Sequence, residues 1–258
     1  MNSIMTVRQE RIIADLERET SLDTHTLAER LGVSEMTIRR DLAALQTAGK
    51  VQRTHGGVLL AHTVGAEQGY AAKQKTNSST KARIGRYAAS ELVSDGDIIL
   101  LDGGTTVTAM AQYLHGKRGL TVVTNGLYTT NELSFLLPEA TVLSCGGVLR
   151  DVSFTYVGPV AESFFDSFRG DKLFISTAGL TLEQGYTDPN PLEAATREHM
   201  MAAAGQVIVL LDSSKFGTVS LVQTAPADRF PILVTDAGAP PETLASLRAM
   251  GVDVRVVS

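Results

Sequence analysis

The 258-residue chain has no tryptophan, only 5% aromatic residues and one cysteine, Cys145. A single thiol excludes an intramolecular disulfide and any multi-thiolate metal site. The five histidines show no metal-ligand spacing either, and nothing in Cys145's neighbourhood marks it as a nucleophile, so neither a metal nor a cofactor is expected. Long apolar runs are missing too: stretches such as Ile98 to Leu101 and Val207 to Leu211 fall far short of the roughly 18 residues a membrane helix needs, so no membrane partner is expected. Met1 to Glu10 lack a charged-then-apolar leader pattern, which with the lone thiol sets the expectation of a cytoplasmic protein. What is present is ordinary globular material, 43% hydrophobic and 20% charged, long enough for a small unit of about 60 residues and a second of roughly 150 to 180.

The net charge of −5 is unevenly spread. Residues 1–57 carry eight basic and eight acidic side chains, residues 58–86 carry five basic against one acidic, and residues 87–258 carry ten against nineteen. An acidic body behind a neutral-to-basic front turns the front toward phosphate. In that front, Ile12, Ile13 and Leu16 recur at helical spacing after Thr6, a candidate N-cap. Thr24 is the expected cap of a second helix with Leu27, Ala28 and Leu31 on its apolar face, stopped by Gly32. Ser34 caps a third, whose buried stripe is Ile38, Leu42 and Leu45, stopped by Gly49. Two short helices joined by a glycine turn make a helix-turn-helix, and the second helix turns Met36, Arg40, Ala43 and Thr47 outward with Thr37 and Arg39 beside them. Arginine pairs bidentately with guanine or phosphate, and threonine reaches phosphate or a thymine methyl. Lys50 to Leu59 alternate around Gly56-Gly57 as a small β-wing, adding Lys50, Arg53 and His55 to that surface.

The run Leu27-Ala28, Leu31-Gly32-Val33-Ser34, Thr37-Ile38-Arg39-Arg40-Asp41-Leu42, Leu45, Gly49 and Arg53-Thr54-His55-Gly56-Gly57 resembles the DeoR-type winged helix of bacterial sugar-metabolism repressors. The resemblance implies that Ser34, Thr37, Arg39 and Arg40 meet double-stranded operator DNA, and Met36 on the same helix with Lys50, Arg53 and His55 of the wing are the further expected contacts. Approximate palindromes read by paired heads imply a homodimer or homotetramer.

The expected organisation is a DNA-binding unit over residues 1–59, a connector over 60–80 that lacks periodicity, and an α/β unit over 81–258. From Lys81 onward strand-like and helix-like runs alternate, which predicts a mainly parallel, Rossmann-like sheet. Strands are expected at 97–101, 120–124, 140–144, 172–176, 206–211, 231–235 and 252–257. Five of them run into small polar or glycine turns: Asp102 to Thr106, Thr124 to Gly126, Cys145 to Gly147, Thr177 to Gly179 and Asp212 to Lys215. Ligands of open α/β sheets bind beyond the carboxyl ends of the strands, where such turns offer backbone N–H groups to an anion. Gly103, Gly104, Thr105 and Thr106 are therefore expected to cradle a phosphate with Lys215 as a point charge, and Asp102, Asn125 and Asp188 to bond sugar hydroxyls. These turns, together with Thr124, Gly146-Gly147, Gly185 to Asp188, Glu193-Ala194 and Asp212 to Gly217, resemble the DeoR-type sensor domain, similar in fold to ribose-5-phosphate isomerases. That resemblance implies a phosphorylated sugar or polyol as effector and repression relieved by it. Ser176-Thr177 and Arg197 depart from the family pattern, leaving the sugar open. The competing reading is a sugar-phosphate isomerase-like enzyme using Asp188 and Glu193 as acid and base; against it, the run Ser176-Thr177-Ala178-Gly179-Leu180-Thr181 lacks the acidic residues of such isomerases.

Overall fold

A computed structural model describes residues 6–19, 22–47, 50–54, 57–60, 67–136 and 140–258, which form two compact units divided between Ala66 and Glu67. In the first, helices α1 (Val7–Arg18), α2 (Thr24–Leu31) and α3 (Glu35–Thr47) are followed by the antiparallel pair β1 (Val51–Thr54) and β2 (Gly57–Leu60). Thr6 caps α1 through a reciprocal capping box with Gln9. The cap of α2 is Asp23 rather than the expected Thr24: its carboxylate accepts from the Thr26 amide at 2.8 Å, adding a negative charge at the positive end of the helix. Gly32, at φ +63°, supplies the left-handed turn between α2 and α3. Ile12, Leu16, Leu27, Ile38, Leu42 and Leu45 fuse the three helices into one core, which Val51 and Val58 of the hairpin close.

The second unit opens with α4 (Tyr70–Lys75) and α5 (Ser78–Leu92). There follow β3 (Ile98–Leu101), α6 (Thr105–Ala111), β4 (Thr121–Thr124), α7 (Leu127–Leu136), β5 (Thr141–Ser144), the hairpin β6 (Val148–Leu149) and β7 (Tyr156–Val157), α8 (Pro159–Asp166) and β8 (Gly170–Ile175). The remainder is β9 (Gly179–Thr181), β10 (Gly185–Asp188), α9 (Pro191–Ala202), β11 (Ala204–Leu210), β12 (Val222–Ala225), β13 (Ile232–Asp236), α10 (Pro241–Ala249) and β14 (Asp253–Val257). A parallel seven-stranded sheet runs in the order β14-β13-β11-β8-β3-β4-β5, and all seven expected strands are in it. The alternation of side chains splits each strand between two cores: Leu100, Leu173, Ile175 and Val209 face one layer, while Ile99, Leu101, Phe174 and Ile208 face the other. A second small sheet, β12-β10-β9, lies outside the parallel one.

The stretch expected as a connector is more ordered than its composition suggests. In its described part, Glu67 begins the second unit and α4 and the start of α5 are helical. One aromatic anchor explains this: Tyr70 is buried, stacks on Tyr128 with ring centroids 4.5 Å apart, and its amide donates to the Val152 carbonyl at 2.7 Å. A single anchoring ring leaves no periodic trace in sequence.

Candidate functional site

In a sheet of this order the direction in which successive strands are added reverses between the adjacent parallel strands β3 and β8, and the crevice beyond their carboxyl ends is the natural ligand position. A cleft opens there, lined by the turns that follow these two strands. The turn after β3 forms its floor with Asp102 to Thr106, and Ser176, Thr177 and Ala178 after β8 form the facing edge. Asp188, Pro189, Glu193 and Arg197 close one side, and Tyr70, Lys73, Ser153, Thr155 and Lys215 contribute the rest of the lining.

Backbone proximity dictates the floor. A Cβ on Gly103 would lie 2.8 Å from the Gly126 Cα, so only glycine allows the turns after β3 and β4 to touch. Asn125 accepts the Gly103 amide at 3.0 Å, and the Thr124 hydroxyl donates to the Leu101 carbonyl at 2.6 Å while accepting the Gly126 amide at 3.0 Å. The structure thus places Thr124 and Asn125 behind the cleft, holding its floor, rather than in its lining. Gly146 and Gly147 also fall outside the lining, because β5 lies two strands, roughly 10 Å, from β3. Gly147 instead packs against β7 and the start of α8, where a Cβ would meet the Val157 carbonyl at 3.0 Å and Ala161 at 3.3 Å. Of the residues expected to bind an effector, Asp102, Gly103, Gly104, Thr105, Thr106, Asp188, Glu193 and Lys215 come together around one cleft.

Arg197, 5% exposed, donates to Asp188 at 2.5 Å and to Asp102 at 3.2 Å. Burial pushes the Asp102 carboxyl above the usual carboxylate range despite Arg197, and the guanidinium is held above its ordinary range by its carboxylate neighbours against the same desolvation. The Arg197 Nε is buried without a hydrogen-bond partner. Glu193 does not cap its own helix; Asn190 does, accepting the Leu192 amide at 2.9 Å. Glu193 Oε1 instead accepts from Arg150 at 2.6 Å and from the Thr155 hydroxyl at 2.8 Å. Burial raises its pKa, but Arg197, Ser153, Thr155 and Arg150 outweigh that and hold it ionised, below the usual range. Lys215 is pushed down by burial, with Asp212 and Asp188 opposing, and among the described residues it forms no ion pair. Sequence reasoning overlooked Tyr70, Lys73, Ser153 and Thr155 in the lining, and Arg150 behind it. Ser153, Thr155 and Arg150 reach the site through a turn whose sequence carries no motif.

In the first unit, α3 presents Met36 at 70% exposure, with Ser34, Arg39 and Arg40 also exposed and Thr37 half-buried. Ser34 and Thr37 share a hydroxyl contact of 3.0 Å, and Arg39 pairs with Glu35 at 3.2 Å across one helical turn. Asp41, on the inner side, ties α3 to α1 by accepting from Arg8 at 2.5 Å. Lys50 is exposed beside β1. Arg53 sits in β1, and its side chain, with His55, Gly49 and Gly56, lies outside the described residues.

A winged helix-turn-helix ahead of a Rossmann-like α/β unit is the build of an HTH-type transcriptional regulator. The chain belongs to the DeoR family: residues 8–64 match the DeoR-like helix-turn-helix domain and residues 76–237 the DeoR C terminal sensor domain. It is 34% identical over 247 residues to the HTH-type transcriptional regulator GlpR of Haloferax volcanii, spanning 96% of each chain. It is 35% identical over 232 residues to the transcriptional repressor AccR of Agrobacterium fabrum, spanning 90% of this chain and 89% of that one. Among solved structures, ribose 5-phosphate isomerase A from Methanocaldococcus jannaschii aligns over 55% of each chain with a TM-score of 0.41 and 15% identity. No helix among the described residues is long and apolar enough to cross a membrane.

Proposed function

We propose that the chain represses a carbohydrate-utilisation operon and is released from its operator when a phosphorylated sugar or polyol enters the cleft. The observation that carries this reading is the composition of one cleft: Lys215, which forms no ion pair among the described residues, shares its lining with the carboxylates of Asp102, Asp188 and Glu193. A dianionic phosphate suits the first and a row of hydroxyl donors suits the second. Asp188 and Glu193 are each bonded to a guanidinium, which favours holding hydroxyls over acting as a free base, and so supports a sensor rather than an isomerase.

In the DNA-bound form, Arg40 and Arg39 contact guanine or phosphate, Met36 and Thr37 approach base edges at the start of α3, and Lys50, Arg53 and His55 reach the backbone from the wing. Two copies present two such heads to a two-fold operator. The test is a calorimetric titration of the purified protein with glucose 6-phosphate, fructose 6-phosphate, ribose 5-phosphate and glycerol 3-phosphate, each beside its unphosphorylated parent. Saturable binding of a phosphorylated compound at least tenfold tighter than its parent supports the reading; equal binding of both removes the phosphate from it.

A further inference from the structure

The chain enters the sensor unit at Glu67, directly after the DNA-binding unit ends at Ala66. The Glu67 carboxylate is almost wholly engaged: Oε2 accepts from Arg150 Nη2 at 2.6 Å, and Oε1 faces Lys73 Nζ at 3.2 Å and Arg150 Nη1 at 3.4 Å. The same Arg150 Nη1 donates to Glu193 Oε1 at 2.6 Å and to Ser153 at 3.2 Å. One guanidinium is therefore shared between a carboxylate in the cleft wall and the carboxylate that fastens the first residue of the unit. The turn carrying Arg150 is itself well defined: the Phe154 amide donates to the Arg150 carbonyl at 2.9 Å, and Phe154, at φ +54°, occupies a left-handed conformation that side chains disfavour. Phe154 packs edge-on against Tyr70 and Tyr128, so the turn and the entering segment share an aromatic anchor as well.

We propose that Arg150 is the positioning residue that couples the cleft to the entry of the chain from the DNA-binding unit, by dividing its guanidinium between Glu193 and Glu67. Arg150 is not in the cleft lining, so it acts through Glu193. A ligand hydroxyl that donates to Glu193 competes with Arg150 for the oxygen the two share, and Arg150 then turns more fully to Glu67, changing how that residue is held. The inference rests on the reading of the cleft as the effector site. By reciprocity of linkage, DNA binding in the first unit must then alter the cleft wall, which can be tested without knowing the effector.

The experiment is hydrogen exchange of the full-length protein, free and bound to the tightest DNA duplex selected from a random library. Wild type, Arg150→Lys and Glu67→Gln are compared. Lysine keeps the charge but cannot bond two carboxylates in the fixed fork of a guanidinium, and glutamine keeps the shape of Glu67 without its charge. In wild type, DNA is expected to change exchange by about fivefold or more, the low end of ordinary coupling, in residues 67–76 and also in 150–157 and 190–197. In both variants the change is expected to stop at 67–76. A merely structural role would lower the melting temperature and speed exchange in free and bound protein alike, leaving the DNA-induced difference in place. That result, or a wild type whose 150–157 and 190–197 segments ignore DNA, overturns the proposal. Failure of the wild type to prefer any duplex would instead contradict the reading as a DNA-binding repressor.

Discussion

Arg197→Met removes the only cation bonded to both Asp102 and Asp188 among the described residues while leaving a side chain of similar bulk. All three residues are exposed by 5% or less, so water cannot replace the lost charge. Stripping one partner from a buried ion cluster costs about 3 to 5 kcal/mol, because the remaining carboxylates stay desolvated. Thr224 still donates to Asp188 at 2.6 Å and the Ala178 amide at 3.2 Å, which leaves Asp102 as the more exposed loss. Asp102 already sits above the usual carboxylate range with Arg197 present, so without it the folded state takes up a proton more readily still. A native carboxyl that binds a proton more tightly than the unfolded chain makes stability fall as pH rises. The deficit of the variant should thus be larger at pH 8 than at pH 5.5. Urea unfolding followed by circular dichroism reads this directly: with slopes of about 1 to 3 kcal/mol per molar urea, the sensor midpoint should drop by roughly 1 to 5 M at pH 8. A midpoint unchanged at both pH values, or a deficit that grows toward acid, would refute the electrostatic account of the cluster.

Lys215→Met should weaken a phosphorylated ligand by about 1.5 to 3 kcal/mol, roughly 10- to 150-fold, and its unphosphorylated parent hardly at all, as measured by calorimetry. Arg40→Ala should weaken DNA binding and lower the slope of log affinity against log salt by about 1 if Arg40 meets a phosphate; an unchanged slope together with relaxed sequence preference would place it on a base. Burial holds the Lys81 ammonium at about 8 against an ordinary 10.5, so between those values the unfolded chain binds more protons than the native one and stability should rise with pH. Thermal unfolding at pH 7.5 and 9.5 checks that rise, which Lys81→Met should abolish. Gly103→Ala forces a Cβ against Gly126 and should cost about 1 to 3 kcal/mol, seen by calorimetry as a lowered sensor melting temperature.

Periodicity was legible wherever burial is one-sided or complete. The stripe Ile38, Leu42, Leu45 and the apolar runs of the parallel strands are direct consequences of facing a core, and all seven strands lie in the sheet within a residue or two of their expected ends. The cleft was half legible. Turns after parallel strands must gather at one sheet edge, but which of them line a cavity depends on strand order, and that order puts β5 at the rim and Gly146-Gly147 beyond reach. Arg150 and Glu67, 83 residues apart, meet only through tertiary folding, and neither has a local pattern that distinguishes it from a solvated charge. Tyr70 was lost for the same reason, since one aromatic residue in a polar stretch has no period.

The central claim, a repressor that a sugar phosphate lifts from DNA, is tested most directly by fluorescence anisotropy of the protein on a labelled duplex from upstream of its own gene, titrated with a sugar phosphate and with the parent sugar. The account predicts tight, salt-sensitive binding that the phosphorylated compound weakens by about five- to 150-fold and the parent sugar leaves alone. Binding that no phosphorylated sugar or polyol changes, or that phosphorylated and parent compounds change equally, would contradict it.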